Sequence, residues 1–194
     1  MARTPSFDRD TVVRAARTAF WSTGYDSASI PELEAATGLS RSSIYNAFGS
    51  KRGLFDAAVQ NYLDEVVRPR LQPLIVDPVA PDALTEYLGG LSAGFARVES
   101  MAGANGCLLI NTAASDIVHD SDVARIIADY RAELRAAFRR GVAARLPESA
   151  PAEHDAIADT VTGLVVAAFA LVRADRDNAL SLLDTARAAV AARG

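Results

Sequence analysis

Residues 24–55, GYDSASIPELEAATGLSRSSIYNAFGSKRGLF, constrain this chain more than any other stretch. They hold two short helix-forming segments, 29–37 and 40–48, with only Gly38 and Leu39 between them. Ser29 stands before Ile30, Pro31 and Glu32. Its hydroxyl can accept from the free N–H groups of the first turn while Glu32 reaches back to it, which is a capping box. Gly38 tolerates the positive φ that a tight turn needs, and Leu39 can plug the corner. Two capped helices joined this closely fit a helix-turn-helix.

The rest of the chain also reads as helix. Of the whole sequence 50% is hydrophobic, ample for a core, and no alternating strand pattern appears. Gly, Pro and capping residues divide it into about nine segments. The first covers residues 8–22, with Val12, Ala16, Ala19 and Phe20 on one stripe, and Gly24 ends it. The fourth runs from Ser50 to about Val67, after which Pro69, Pro73, Pro78 and Pro81 mark a linker. Later segments cover residues 82–98, 105–114, 122–145 (capped by Ser121), 152–173 and 177–193. Leu164, Val165, Ala168, Phe169 and Leu171 go most of the way round the eighth. A helix apolar on so many sides needs cover on more than one of them. A second copy of the chain is the natural cover, with Leu164, Ala168, Phe169, Leu171 and Leu183 as candidate interface residues. The alternative is a helix buried inside its own domain. The expected architecture is all-α: residues 1–52 form a three-helix head, residues 53–194 a larger helical domain, and the fourth helix, from about residue 50, links them.

Several function classes are disfavoured. No apolar run reaches the roughly 18–20 residues of a membrane span, and the first residues lack the apolar segment of a secretory signal. A soluble cytoplasmic protein without a membrane partner is expected. One cysteine, Cys107, allows no intramolecular disulfide and no cysteine zinc site, and His119 and His154 are too few for most metal centres. No metal or cofactor is expected. No G-x-S-x-G, phosphate-binding glycine loop or H-E-x-x-H occurs, so nothing points to an enzyme. The net charge is −4. Residues 1–52 nonetheless sum to +2 and the remainder to −6. A basic end on an acidic body suits a nucleic-acid-reading head.

In a helix-turn-helix the second helix is the reader, and its N-terminal turn enters the major groove. Here that turn is Arg41, Ser42 and Ser43. An arginine can donate two hydrogen bonds to guanine O6 and N7, and the serines are short donors for base edges or phosphates. Tyr45 can reach a backbone phosphate. The helix starts at Ser29 and at Lys51, the one lysine of the chain, present free N–H groups suited to phosphate. Each residue also has a plain structural reading: Ser40 as a cap, Tyr45 as packing, Arg41 and Arg52 as solvated charges.

Gly24-Tyr25, Ser29-Ile30, Gly38-Leu39-Ser40, Ser43-Ile44-Tyr45, Phe48 and Ser50-Lys51 followed by Leu54 resemble the N-terminal signature of TetR/AcrR-type repressors over roughly residues 8–60. The resemblance implies a homodimer on a palindromic double-stranded DNA operator, released by a small-molecule inducer. It implies base contacts from Arg41 and Ser43, and phosphate contacts from Ser29, Ser40, Tyr45 and Lys51. Asn46 sits where many relatives carry His or Tyr. Ala28 stands where a threonine often caps, so Ser29 must take over that cap. Glu34 replaces a small apolar residue, and its charge either faces the DNA or only solvent.

By the same resemblance, residues from about 80 onward bind the ligand and dimerise. Apolar periodicity offers Tyr62, Tyr87, Leu91, Phe95, Met101, Leu108, Asn111, Tyr130, Leu134 and Phe138 as pocket candidates, most of them plain core. Cys107, within Gly106-Cys107-Leu108, adds an alternative: a reactive thiol sensing oxidants or electrophiles, as the surroundings of a Gly-Cys-Leu do in similar regulators. The other reading is an inert buried cysteine, since no basic residue is close in sequence.

Overall fold

The computed structural model describes residues 7–191, and every regular element among them is helical. The head consists of α1 (Arg9–Thr23), α2 (Ile30–Thr37) and α3 (Arg41–Phe48). Local chemistry sets each boundary. Asp8 caps α1 by accepting from the Asp10 N–H. Ser29 and Glu32 form the capping box of α2. Ser40 caps α3 by accepting from the Ser43 N–H. Gly38 takes the turn between α2 and α3 at φ 69° and ψ 9°, a left-handed conformation that costs a side-chain-bearing residue energy. The apolar stripes meet at Phe20, Leu33, Ile44, Leu54 and Phe55, all at most 1% exposed. Phe20 lies edge-on to Phe55 with ring centroids 5.2 Å apart.

The fourth helix does not stop near Val67. α4 (Lys51–Tyr62) continues through a π turn at Leu63–Val67 into α5 (Arg68–Ile75), so Pro69 and Pro73 lie in a helix and not in a linker. A π turn shifts the hydrogen-bond register by one residue, and it does so just before Pro69, which has no N–H to give. At the far end, the Arg140 guanidinium collects the carbonyls of Leu74, Ile75 and Val76. A cation on the last carbonyls stabilises a helix C-terminus that the proline weakens. Pro78 and Pro81 do lie between helices.

Then follow α6 (Ala83–Ala96), α7 (Met101–Asn105), α8 (Leu108–Ala113), a short 3₁₀ turn at Asp116–His119, α9 (Ser121–Arg145), α10 (Pro151–Leu171) and α11 (Arg176–Ala191). The segment expected at residues 105–114 is helical only as α8, and a further short helix, α7, precedes it across a break at Gly106. Its φ of 70° and ψ of −129° belong to a region open essentially to glycine alone. The cap of α9 is Asp120, which accepts from the N–H groups of Asp122 and Val123, and not Ser121. Arg193, placed at the end of the last helix by its periodicity, lies outside the described residues.

The body's core forms where α6, α9, α10 and α11 meet. Leu134, Phe138, Val165 and Leu183 are fully buried, and Phe95 meets Phe169 at 5.4 Å. α10 is the one described helix long and apolar enough to cross a membrane by composition, yet only 39% of its most apolar window is buried inside the chain. α6 carries Gly90 and Gly94 on one face, where an added Cβ would meet nothing within 4 Å. A glycine inside a helix costs about 1 kcal/mol relative to alanine, and close packing does not require either one.

Candidate nucleic-acid interface

The geometry of α3 follows from its spacing. Ile44 points into the head and is 0% exposed. Arg41, Ser42, Tyr45 and Asn46 fall on the opposite face, and all four are exposed. Glu34, Ser40, Arg41, Ser42 and Tyr45 line one shallow concavity there. The Arg41 guanidinium lies over the Tyr45 ring, 5.6 Å from its centroid, and makes no ion pair among the described residues. The Ser40 hydroxyl is within 3.0 Å of that of Ser42 and 2.9 Å of that of Ser43. Ser43 is half-buried and Ser40 exposed.

Glu34 does something its position in the sequence did not reveal. Its carboxylate accepts the backbone N–H of Arg41, a first-turn donor of α3. A carboxylate at a helix N-terminus is favoured by the free donors and the dipole. Side chain and helix end together tie α2 to α3.

The other expected contact residues sit around this face. Ser29 is exposed, but both its backbone N–H and its hydroxyl are committed to Glu32. That hydrogen bonding, first from the Ser29 backbone, lowers the Glu32 carboxyl from its ordinary pKa. Lys51 stands in the first turn of α4 with its ammonium 4.5 Å from the centre of the Tyr25 ring. Burial lowers its pKa from the usual lysine range.

Several polar contacts fasten the head end of the chain to the body, among them the Asp116 N–H donated to the Asp26 carboxylate at 3.1 Å. The Arg14 guanidinium donates to both carboxylate oxygens of Glu65, on the π turn, at 2.7–3.0 Å, and Arg17 adds a contact at 3.0 Å. Arg52 pairs with Asp120 at 2.6 Å. The Trp21 Nε1–H donates to the Gly106 carbonyl at 3.1 Å. Hydrogen bonds from Arg14, then from Asn61 and Arg17, hold the Glu65 carboxyl at a pKa of about 2. An acid whose pKa falls on folding adds stability above its unfolded value, near 4.3, and loses that contribution as pH drops towards the folded value. Urea titrations from pH 6 to pH 2 are therefore expected to show a smaller stability decrement for Glu65→Gln than for the parent. Parallel curves through this window would mean the clamp contributes nothing.

The pocket candidates separate into two groups. A cavity of about 390 Å³ opens between α5, α6 and the start of α7, and Tyr87 and Leu91 line it. Arg70, Glu86, Gly90, Gly94 and Arg97, none of which the apolar pattern picked out, line it as well. Tyr62, Phe95, Cys107, Tyr130 and Phe138 lie in the packed interior. Asn111 donates from its side chain to the Asn105 carbonyl at 2.7 Å. Cys107 is 0% exposed, and its Sγ stands 3.4 Å from the hydroxyls of both Tyr62 and Tyr130. Burial raises the pKa of Tyr62, Tyr87 and Tyr130 well above the usual phenol value. Of the candidate interface residues, Ala168, Phe169 and Leu183 turn into the chain's own core, because α10 packs against α9 and α11 on that side. Leu164 and Leu171 are half-buried, beside the exposed Gly163 and Ala170.

The family described as bacterial regulatory proteins, tetR family, matches residues 12–58. The uncharacterized HTH-type transcriptional regulator YezE of Bacillus subtilis (strain 168) is 31% identical over 146 residues, which is 73% of this chain and 72% of that one. The HTH-type transcriptional repressor BdcR of Escherichia coli (strain K12) is 27% identical over 158 residues, 81% of this chain and 77% of its own. A cysteine-substituted mutant of the TetR family transcriptional regulator CifR, solved in complex with 26bp double-strand operator DNA, superimposes with a TM-score of 0.79. It is 27% identical, and the match covers 95% of this chain and 98% of that one. With its head built on these caps and its length shared with such relatives, the chain belongs to the bacterial tetR family of regulatory proteins.

Proposed function

We propose that the chain is a sequence-specific DNA-binding transcriptional repressor that acts as a homodimer on a palindromic operator and is released by a small-molecule inducer. The observation that carries this reading is the outward face of α3. Arg41, Ser42, Tyr45 and Asn46 are exposed together on a helix whose two ends are fixed by Ser40 and Gly49. A capped, preordered helix can enter a major groove without ordering cost at the moment of binding. Arg41 reads guanine, with Ser43 beside it. Ser40, Tyr45 and Lys51 lie on phosphates, as does Ser29 once its bonds to Glu32 are exchanged, and the reading module ends near residue 52. The operator DNA in the CifR complex and the naming of BdcR as a repressor support the same reading.

The second copy covers the outer side of α10. So apolar a helix, so incompletely buried by its own chain, favours a partner of the same kind. Two α3 helices roughly 34–36 Å apart then enter successive major grooves. A ligand in the α5–α6 cavity that binds one spacing better than another shifts the population away from DNA by its differential affinity alone. The thiol reading finds less support. Reactive cysteines are exposed and near cations, whereas Cys107 is enclosed and faces two tyrosine hydroxyls.

Selection of duplexes from a random library tests the reading; an enriched inverted repeat is expected, and no enrichment in low-salt buffer overturns it. On the selected duplex, Arg41→Ala is expected to lose about 1–3 kcal/mol of discrimination at one base step. Lys51→Ala is expected to weaken selected and random duplexes alike and to lower the salt slope by about one. Equal loss on both duplexes for Arg41→Ala would remove arginine 41 from the base-reading role.

A further inference from the structure

We propose that the cavity between α5 and α6 takes an amphipathic organic anion: an apolar body on the α6 glycine face and an anionic group held by Arg70 and Arg97. The proposal rests on the reading of this region as a ligand-binding domain and adds the chemical class of the ligand.

The first observation is the charge at the opening. Most arginines of the body hold carboxylates, among them Arg68 with Asp64 and Glu133, Arg135 with Asp155 and Asp159, Arg139 with Asp155, Arg140 with Asp77 and Arg145 with Asp82, whereas Arg131, Arg173 and Arg176, which lie off the cavity, hold none among the described residues. Arg70, on α5, and Arg97, just after α6, both line the cavity, and neither holds a carboxylate among the described residues. Glu86 is the one acid on the lining. The balance is a single positive charge beside an otherwise apolar wall of Pro69, Pro73, Ala83, Leu91 and Ala102. A guanidinium binds carboxylate, sulfonate or phosphate through paired N–H donors, and it does so more strongly beside apolar surface than in open water.

The second observation is the space. Gly90 and Gly94 both line the cavity, one helical turn apart, and an added Cβ at either would touch nothing. The space a side chain would enter at either position is open, and neither has positive φ. What the two glycines provide is room along α6 for a flat or extended apolar group. At about 390 Å³ the volume lies in the range of small-molecule sites.

Fluorescence titration of the full chain tests the assignment with two probes that share an apolar body: anilinonaphthalene sulfonate, which is anionic, and phenylnaphthylamine, which is neutral. Arg70→Gln combined with Arg97→Gln is expected to weaken the sulfonate at least about tenfold and the neutral probe less than about twofold. Gly94→Leu is expected to abolish binding of both while leaving the melting temperature unchanged or raised, since the added atoms enter empty space. Equal weakening of the two probes by the arginine variants overturns the anion assignment. So does unchanged binding in Gly94→Leu, because the probes then sit elsewhere. Selective sulfonate binding that never displaces operator DNA leaves the assignment standing and overturns the inducer reading alone.

Discussion

Gly106→Ala is expected to destabilise the chain by about 2–6 kcal/mol, the sum of two penalties of about 1–3 kcal/mol each. The first is conformational. Gly106 sits at φ 70° and ψ −129°, where a side chain collides with its own backbone. The second is steric. The new methyl would lie 2.5 Å from the Phe169 carbonyl oxygen and 3.2 Å from Val172 Cγ1, on a helix that is itself wedged between α9 and α11. The Phe169 carbonyl cannot retreat without moving the α10 backbone. For a chain of this size each kcal/mol shifts Tm by about 2–4 °C, so calorimetry should register a fall of several degrees at the least. A variant that melts within a degree of the parent would show that the α7–α8 junction is not held as described.

Trp21→Ala is expected to cost about 3–5 kcal/mol, in the range of large aromatic truncations in a core. The indole is 5% exposed and stands edge-on to Tyr62 at 4.9 Å, and its N–H is the partner of the Gly106 carbonyl. Truncation leaves a void between head and body and a buried carbonyl without its donor. Trp21→Phe separates the two effects. It keeps most of the apolar volume and should lose only about 1–3 kcal/mol for the unsatisfied acceptor. Because Trp21 and Gly106 share one hydrogen bond, the Trp21→Ala, Gly106→Ala double variant is expected to be less unstable than the two losses added together. Strict additivity, measured by urea unfolding, would show that the contact is incidental.

What the sequence disclosed and what it withheld divide along the range of the interactions. The head was legible because its signals are local: the Ser29–Glu32 box, Gly38 in the turn and Ser40 before α3 each act within four residues. The helical character of the body was legible for the same reason. The continuation of α4 past Val67 was not, since Pro69 and Pro73 are tolerated only through a register shift and through Arg140, some 65 residues away. The break at Gly106 depends on Trp21 and Phe169, which come close only after folding. At α9 two adjacent capping residues competed, and Asp120 prevailed with two accepted hydrogen bonds. Glu34 finds its partner only once α2 and α3 adopt their mutual angle. Apolar periodicity picked out the packed interior and, of the cavity wall, Tyr87 and Leu91, but not its glycines and arginines, which carry no apolar signal.

The uninterrupted passage from α4 to α5 makes a lever of the rod that joins cavity and head. α4 has 12 residues, which at 1.5 Å per residue gives an arm of about 18 Å beyond the π turn. A tilt of about 10° at that fulcrum carries the far end sideways by about 3 Å, close to the 3.4 Å rise of one base pair. In the homodimer proposed above both arms would swing together, and the separation of the two readers would change by about twice that distance. On that proposal, a shift in α5 too small to disturb its packing would be magnified into a mismatch of more than a full step along the duplex.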